Sequence, residues 1–171
     1  DFTELVPKKK FDIVFCRGVL QHTYNPYESI LKLFEFVKDD GIVVFDYYLK
    51  PKLGMLHPKY LYWRPIFQNL ISYNKYEYFL KKNINLLLKI KRFIDFFFLN
   101  KAFFSDCLIP VWDAGKIIKD SHKIDFDKIC ELSILDTLDG LYAKYDNPKK
   151  NQEIVNYLIK NNIKVLNNNK I

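Results

Sequence analysis

His22 is the side chain best suited to move a proton at neutral pH, because an unperturbed imidazole titrates close to neutrality. It stands in Cys16-Arg17-Gly18-Val19-Leu20-Gln21-His22-Thr23, directly after the apolar run Phe11-Asp12-Ile13-Val14-Phe15. Gly18 allows backbone to approach a bound molecule closely, whereas Cys16 reads as a small buried residue rather than a nucleophile. A second group, Asp46-Tyr47-Tyr48, lies near the end of the apolar run from Ile42 to Leu49. Side chains alternate along a strand, so at least one of Tyr47 and Tyr48 should point into a cleft at that end. Arg64 can grip an anionic group through two parallel N–H donors, or tie its own segment to Asp136 or Asp139. Tyr145-Asp146 adds an aromatic and an acid further along.

These residues need elements to hold them. Phe11 to Cys16 is short, apolar and β-branched, the signature of a strand buried on both faces of a parallel sheet. Asn25-Pro26-Tyr27-Glu28 starts a helix: Asn25 caps, Pro26 suits the first position and Glu28 sits where a capping-box carboxylate reaches back. Ile30, Leu33, Phe34 and Val37 recur at helical spacing, and Asp39-Asp40-Gly41 is expected to stop the helix before a second buried strand, Ile42 to Leu49. Strand, crossover helix and strand imply adjacent parallel strands in an α/β sheet.

From Lys50 to Ser133 the strand rhythm is lost, and the steps His57-Pro58, Arg64-Pro65 and Ile109-Pro110 cut the chain into short segments. Ile84 to Phe104 can be wound as a helix with Leu86, Ile90, Phe93, Ile94 and Phe97 on one side and Asn85, Lys89 and Arg92 on the other. Afterwards Asn147-Pro148 repeats the cap-plus-proline start, with Ile154, Val155, Leu158 and Ile159 as the buried stripe. Asn161-Asn162 ends that helix, and Ile163-Lys164-Val165-Leu166 is expected to begin a strand. The reading therefore divides the chain into a strand-helix-strand core at 1–49, a helical insertion or lid at 50–133, and a return to the core at 134–171.

Composition narrows the function. The chain has 171 residues, 49% of them hydrophobic and 17% aromatic, enough for a folded domain with a sizeable core. Its net charge of +7 points weakly to an anionic partner, because Lys, Asn, Ile, Phe and Tyr are abundant throughout, a bias that a low-GC genome imposes on any protein. Lys is scattered and no recognised nucleic-acid motif is present, which argues against nucleic acid. The three cysteines, Cys16, Cys107 and Cys130, are odd in number and widely spaced, so neither a disulfide framework nor a metal site follows, and a reducing cytoplasm is the expected home. The segment from Ile84 to Phe104 carries Lys89, Lys91, Arg92, Asp95 and Lys101, too much charge for a bilayer span, though it can touch a membrane surface.

Three stretches together resemble class I S-adenosylmethionine-dependent methyltransferases of the widespread bacterial kind (type 11-like). Asp1-Phe2-Thr3-Glu4-Leu5-Val6-Pro7 with Phe11-Asp12-Ile13-Val14-Phe15 is similar to the segment joining their third and fourth strands. Cys16 to Thr23 is similar to the loop after the fourth strand, commonly x-x-Gly-Val-Leu-x-His-Thr, and Leu33 to Tyr48 to the fifth-strand unit. Pro58 to Pro65 and Leu135 to Pro148 resemble a subgroup that carries a helical insertion. The resemblance implies a partial Rossmann-like α/β fold, a parallel sheet with helices on both faces and a helical insertion. It implies S-adenosylmethionine as cofactor, with Asp1 accepting from the adenine amino group, Phe2 flanking the ring, and Cys16, Arg17 and Gly18 lying against the methionine or ribose portion. His22 would be the catalytic base, with Tyr47, Tyr48, Arg64 and Tyr145 around a small-molecule or lipid-like acceptor.

The departures are equally clear. Glycine occurs only at 18, 41, 54, 115 and 140, so there is no Gly-x-Gly-x-Gly turn, nor the acidic residue that would follow it on the ribose hydroxyls. The closing strand of the family is missing or replaced by the Asn-rich tail. The expectation is a fragment of a longer protein or a truncated reading frame. The competing expectation is a noncatalytic module that uses the basic amphipathic segment 84–104 on a membrane surface or a partner.

Overall fold

Apolar alternation makes Phe11–Cys16 a strand, β1, and Val37–Phe45 pairs with it in parallel as β2. A parallel pair needs a crossover, supplied by helix α1, Pro26–Glu35. The Asn25 side chain caps α1 by accepting from the Tyr27 N–H at 3.2 Å, and Pro26 opens the first turn. The computed structural model describes residues 2–51, 53–98, 102–118 and 121–167. They divide into two units, Asp1–Pro51 with Lys144–Ile171, and Lys52–Ala143.

Strand β2 begins before the expected Ile42. Asp39-Asp40-Gly41 lies inside it rather than stopping α1, which already ends at Glu35. Phe11 pairs with Val37 and Ile13 with Ile42, so a short stretch of β1 answers a longer one of β2 and residues 38–41 bulge. Gly41 is needed there: a Cβ would come within 2.5 Å of Val37 Cγ2 and 2.7 Å of the Asp12 carbonyl. β2 stops at Phe45, and Leu49 makes a separate parallel bridge to Lys149.

One face of the sheet carries Val14, Cys16, Val43 and Phe45. Ile30 and Leu33 of α1 pack on it with Ile154 and Leu158 of the last helix, α7 (Asn151–Lys160), and together they form the core of the first unit. The other face carries Phe11, Ile13, Phe15, Ile42 and Val44, which stay 41–68% exposed. Among the described residues, then, helices cover one face, not both, and β1 is not buried on both sides. Helix α7 starts at Asn151 instead of Asn147-Pro148, with the Glu153 carboxylate accepting from the Lys150 N–H at 3.3 Å. Asn162, at φ 59°, turns the chain out of α7 in the left-handed region. Beyond it Ile163 and Val165 pack on the core, but 163–166 pairs with no strand among the described residues.

The second unit is helical. A π-helical turn, Lys59–Trp63, runs directly into α2, Arg64–Leu70, so the Arg64-Pro65 step does not break the helix. Proline lacks an N–H and its ring crowds the preceding turn; the wider π turn relieves both. Next come α3 (Tyr73–Phe97), α4 (Ala102–Leu108), α5 (Ala114–Ile117) and α6 (Phe126–Tyr142). Leu80, Ile84 and Leu88 of α3 pack with Ile129, Leu138 and Leu141 of α6. The buried stripe of α3 is Tyr76, Leu80, Ile84, Leu88, Lys91 and Asp95, whereas of the expected stripe Leu86, Ile90, Phe93 and Phe97 are exposed and Ile94 is half-buried. The buried charges are paired: Lys91 with Asp106 at 2.5 Å, and Asp95 with Lys116. The return to the first unit comes at Lys144, not residue 134, because α6 runs unbroken to Tyr142 with Leu138 and Leu141 in the helical core.

Candidate functional site

The loop after β1 is built around Gly18. Its φ of +66° is a left-handed conformation that other L-residues rarely adopt, and no atom lies within 4 Å of where a Cβ would stand. The Gly18 N–H donates to Asp46 Oδ1 at 2.5 Å, and Arg17 Nε lies 3.5 Å from Asp46 Oδ2. Asp46 follows β2 immediately, so its carboxylate binds the carboxyl ends of the two parallel strands to each other, the end at which open α/β sheets receive ligands. Burial, and after it the charge of Asp46, pushes the Cys16 thiol up. A thiol so placed is a poor nucleophile at neutral pH.

Leu20–His22 forms a single 3-10 turn anchored by the fully buried Leu20. His22 Nδ1 lies 3.0 Å from the carbonyl oxygen of Tyr145. A carbonyl can only accept, so Nδ1 is the donor in this contact. The imidazole meets the ring of Tyr48 edge-on at 5.7 Å, and Tyr145 meets Tyr24 likewise at 5.6 Å. Asn147 fastens this arrangement: its amide Nδ2 donates to the carbonyls of Thr23 at 2.8 Å and Tyr24 at 3.3 Å, and its backbone N–H to Gln21 at 2.8 Å. The structure thus gathers His22, Tyr48 and Tyr145, and beside the strand ends Arg17, Gly18 and Asp46.

Gln21 is fully buried, yet among the described residues neither its side-chain oxygen nor its nitrogen has a hydrogen-bond partner. A buried amide left unsatisfied costs about 1–3 kcal/mol per group, a cost a bound molecule with a donor and an acceptor would remove. Together, the open backbone at Gly18 and this orphaned amide fit the edge of a bound cofactor. Tyr47 takes a different direction: its hydroxyl donates to Asn151 Oδ1 and burial pushes it up. Tyr47 and Asn151 line a groove of about 570 Å³ along β2, walled by Val43, Phe45, Val155 and Val165. Phe2 packs half-buried against the core of the first unit, and Asp1 lies outside the described residues.

Arg64 belongs to the second unit and is buried there. Nη1 donates to the Gly140 carbonyl at 2.7 Å and Nη2 to that of Ala143 at 2.6 Å, capping the end of α6. It ties the start of α2 to the end of α6 through these main-chain carbonyls. From sequence, no site role is read for Asp46, Gln21 or Asn147, and Asn147 reads as a helix cap. An acid ending an apolar strand run was the available signal for Asp46; Gln21 and Asn147 carry none, since their roles depend on burial and on partners far along the chain.

A family model described as a methyltransferase domain matches residues 2–89, just over half of the chain. No curated protein matches, nor does any solved structure. The match takes in β1, the Gly18–His22 loop, α1 and β2 with Asp46, the elements that carry the geometry above. The chain belongs to the methyltransferase domain family.

Proposed function

We propose that this chain carries part of an S-adenosylmethionine-dependent methyltransferase acting on a small-molecule or lipid-like acceptor in the cytoplasm. The observation that carries the reading is the Gly18–Asp46 lock, an open left-handed backbone position held at the carboxyl ends of two parallel strands in a methyltransferase-family chain. Arg17, Gly18 and Gln21 would hold the cofactor's edge. When bound, S-adenosylmethionine supplies a methyl group activated by its positively charged sulfur. The chain has no Gly-x-Gly-x-Gly turn.

The work left to the protein is chiefly alignment of acceptor and methyl group. Tyr48 and Tyr145 frame the acceptor beside His22, the residue that would take the proton an acceptor hydroxyl or amine gives up. Three free cysteines suit a reducing compartment. The test is calorimetric titration of S-adenosylhomocysteine into the protein and its Gly18→Trp variant. The indole would fill the open space and strain a φ of +66°, so affinity should fall by at least about a hundredfold. Equal binding by both proteins would remove Gly18 from the site.

A further inference from the structure

Helix α3 has a second apolar face that nothing in its unit covers among the described residues. Tyr78, Phe79, Leu86, Ile90, Phe93, Phe96 and Phe97 all stand exposed on the side opposite the buried stripe, with Phe93 63%, Phe96 75% and Phe97 66% accessible. Phe98, Phe103 and Phe104 extend the patch at the end of α3 and into α4, with Phe98 stacked on Phe104 at 4.6 Å. Exposed aromatics in this concentration mark an interaction surface.

The charges on the helix indicate what it meets. Lys75, Lys82 and Lys89 recur every seven residues along the middle of this face, and all are exposed. The acids of α3 are turned away: Glu77 is half-buried and Asp95 buried. A protein–protein interface excludes lysine from its centre and keeps charge at the rim. Lysines interleaved with phenylalanines match instead the headgroup layer of a membrane, where rings enter the acyl boundary and ammonium groups reach anionic phosphates. At 25 residues the helix is roughly 37 Å long. No helix among the described residues is long and apolar enough to cross a membrane, which suits an element lying on the surface.

We infer that the outward face of α3, with Phe98, Phe103 and Phe104, docks on an anionic phospholipid surface. The inference is independent of methyl transfer. The experiment is co-sedimentation of the whole chain with vesicles of phosphatidylcholine alone or mixed with phosphatidylserine, alongside sedimentation velocity without lipid. Binding should be strong only on the mixed vesicles and weaken with salt. F96S/F97S should lower it by at least about tenfold, as should K82E/K89E, while both variants keep the wild-type circular dichroism. Equal binding to neutral vesicles, or unchanged binding of either variant, would overturn the proposal. So would a dimer in the lipid-free run that F96S/F97S dissolves and that binds no vesicle, since a second copy would then own this face.

Discussion

Asp46 and Arg64 show how far a residue's chemistry depends on what it touches. Gly18 and His22 stood out in sequence because their motif is local, within six residues of the end of one strand. What fixes them was not: Asp46 reaches Gly18 across 28 positions, and Asn147 reaches Thr23 across 124. Arg64 was legible as a residue able to bind an anion, but its guanidinium is committed to carbonyls 76 and 79 positions away. Replacing it with leucine leaves those carbonyls without a charged donor. Arg64→Leu should therefore cost about 2 kcal/mol of unfolding free energy in urea, while S-adenosylhomocysteine affinity stays within about twofold. A large loss of affinity with little loss of stability would contradict this structural role and place Arg64 at the cofactor.

At the level of elements, the strand-helix-strand unit was readable because apolar period and capping residues agree. Its boundaries were not, because Asp39-Asp40-Gly41 has the composition of a turn and is used as a bulge. Gly41→Ala tests that bulge. Its methyl group would stand 2.5 Å from Val37 Cγ2 and 2.7 Å from the Asp12 carbonyl, and urea unfolding should show a loss of about 2 kcal/mol. A neutral substitution would mean that the strands part easily there. Helix α3 was misjudged for a related reason. It carries apolar stripes on two sides, and the one that is buried contains Lys91 and Asp95, whose charge disguises it in sequence. Pairing with Asp106 and Lys116 is what makes their burial tolerable.

For the whole molecule, two separate cores invite two separately observable stabilities. Both tryptophans, Trp63 and Trp112, lie in the helical unit, so their fluorescence reports on that unit alone. One pH-sensitive tie in it is the fork from Arg92 to Asp113, at 2.7 and 2.8 Å. Burial by itself would raise the Asp113 carboxyl, but Arg92, with the Gly115 N–H and Lys116, outweighs it and holds the group below the usual carboxylate range. With a folded value below the unfolded one of about 3.9, the pair's stabilisation is present above that pH and is lost as pH falls through the folded value. The tryptophan-monitored urea midpoint should drop over that acid range. Asp113→Asn should lower the midpoint at neutral pH and flatten the acid dependence, whereas an unchanged profile would assign acid sensitivity to other carboxylates.

The central claim, that the loop after β1 and the end of β2 form the cofactor's edge, is tested most directly by hydrogen–deuterium exchange with and without S-adenosylhomocysteine. The account predicts added protection in peptides covering 16–24 and 45–48, abolished in Gly18→Trp. Protection confined to 53–143, or none under saturating ligand, would contradict it.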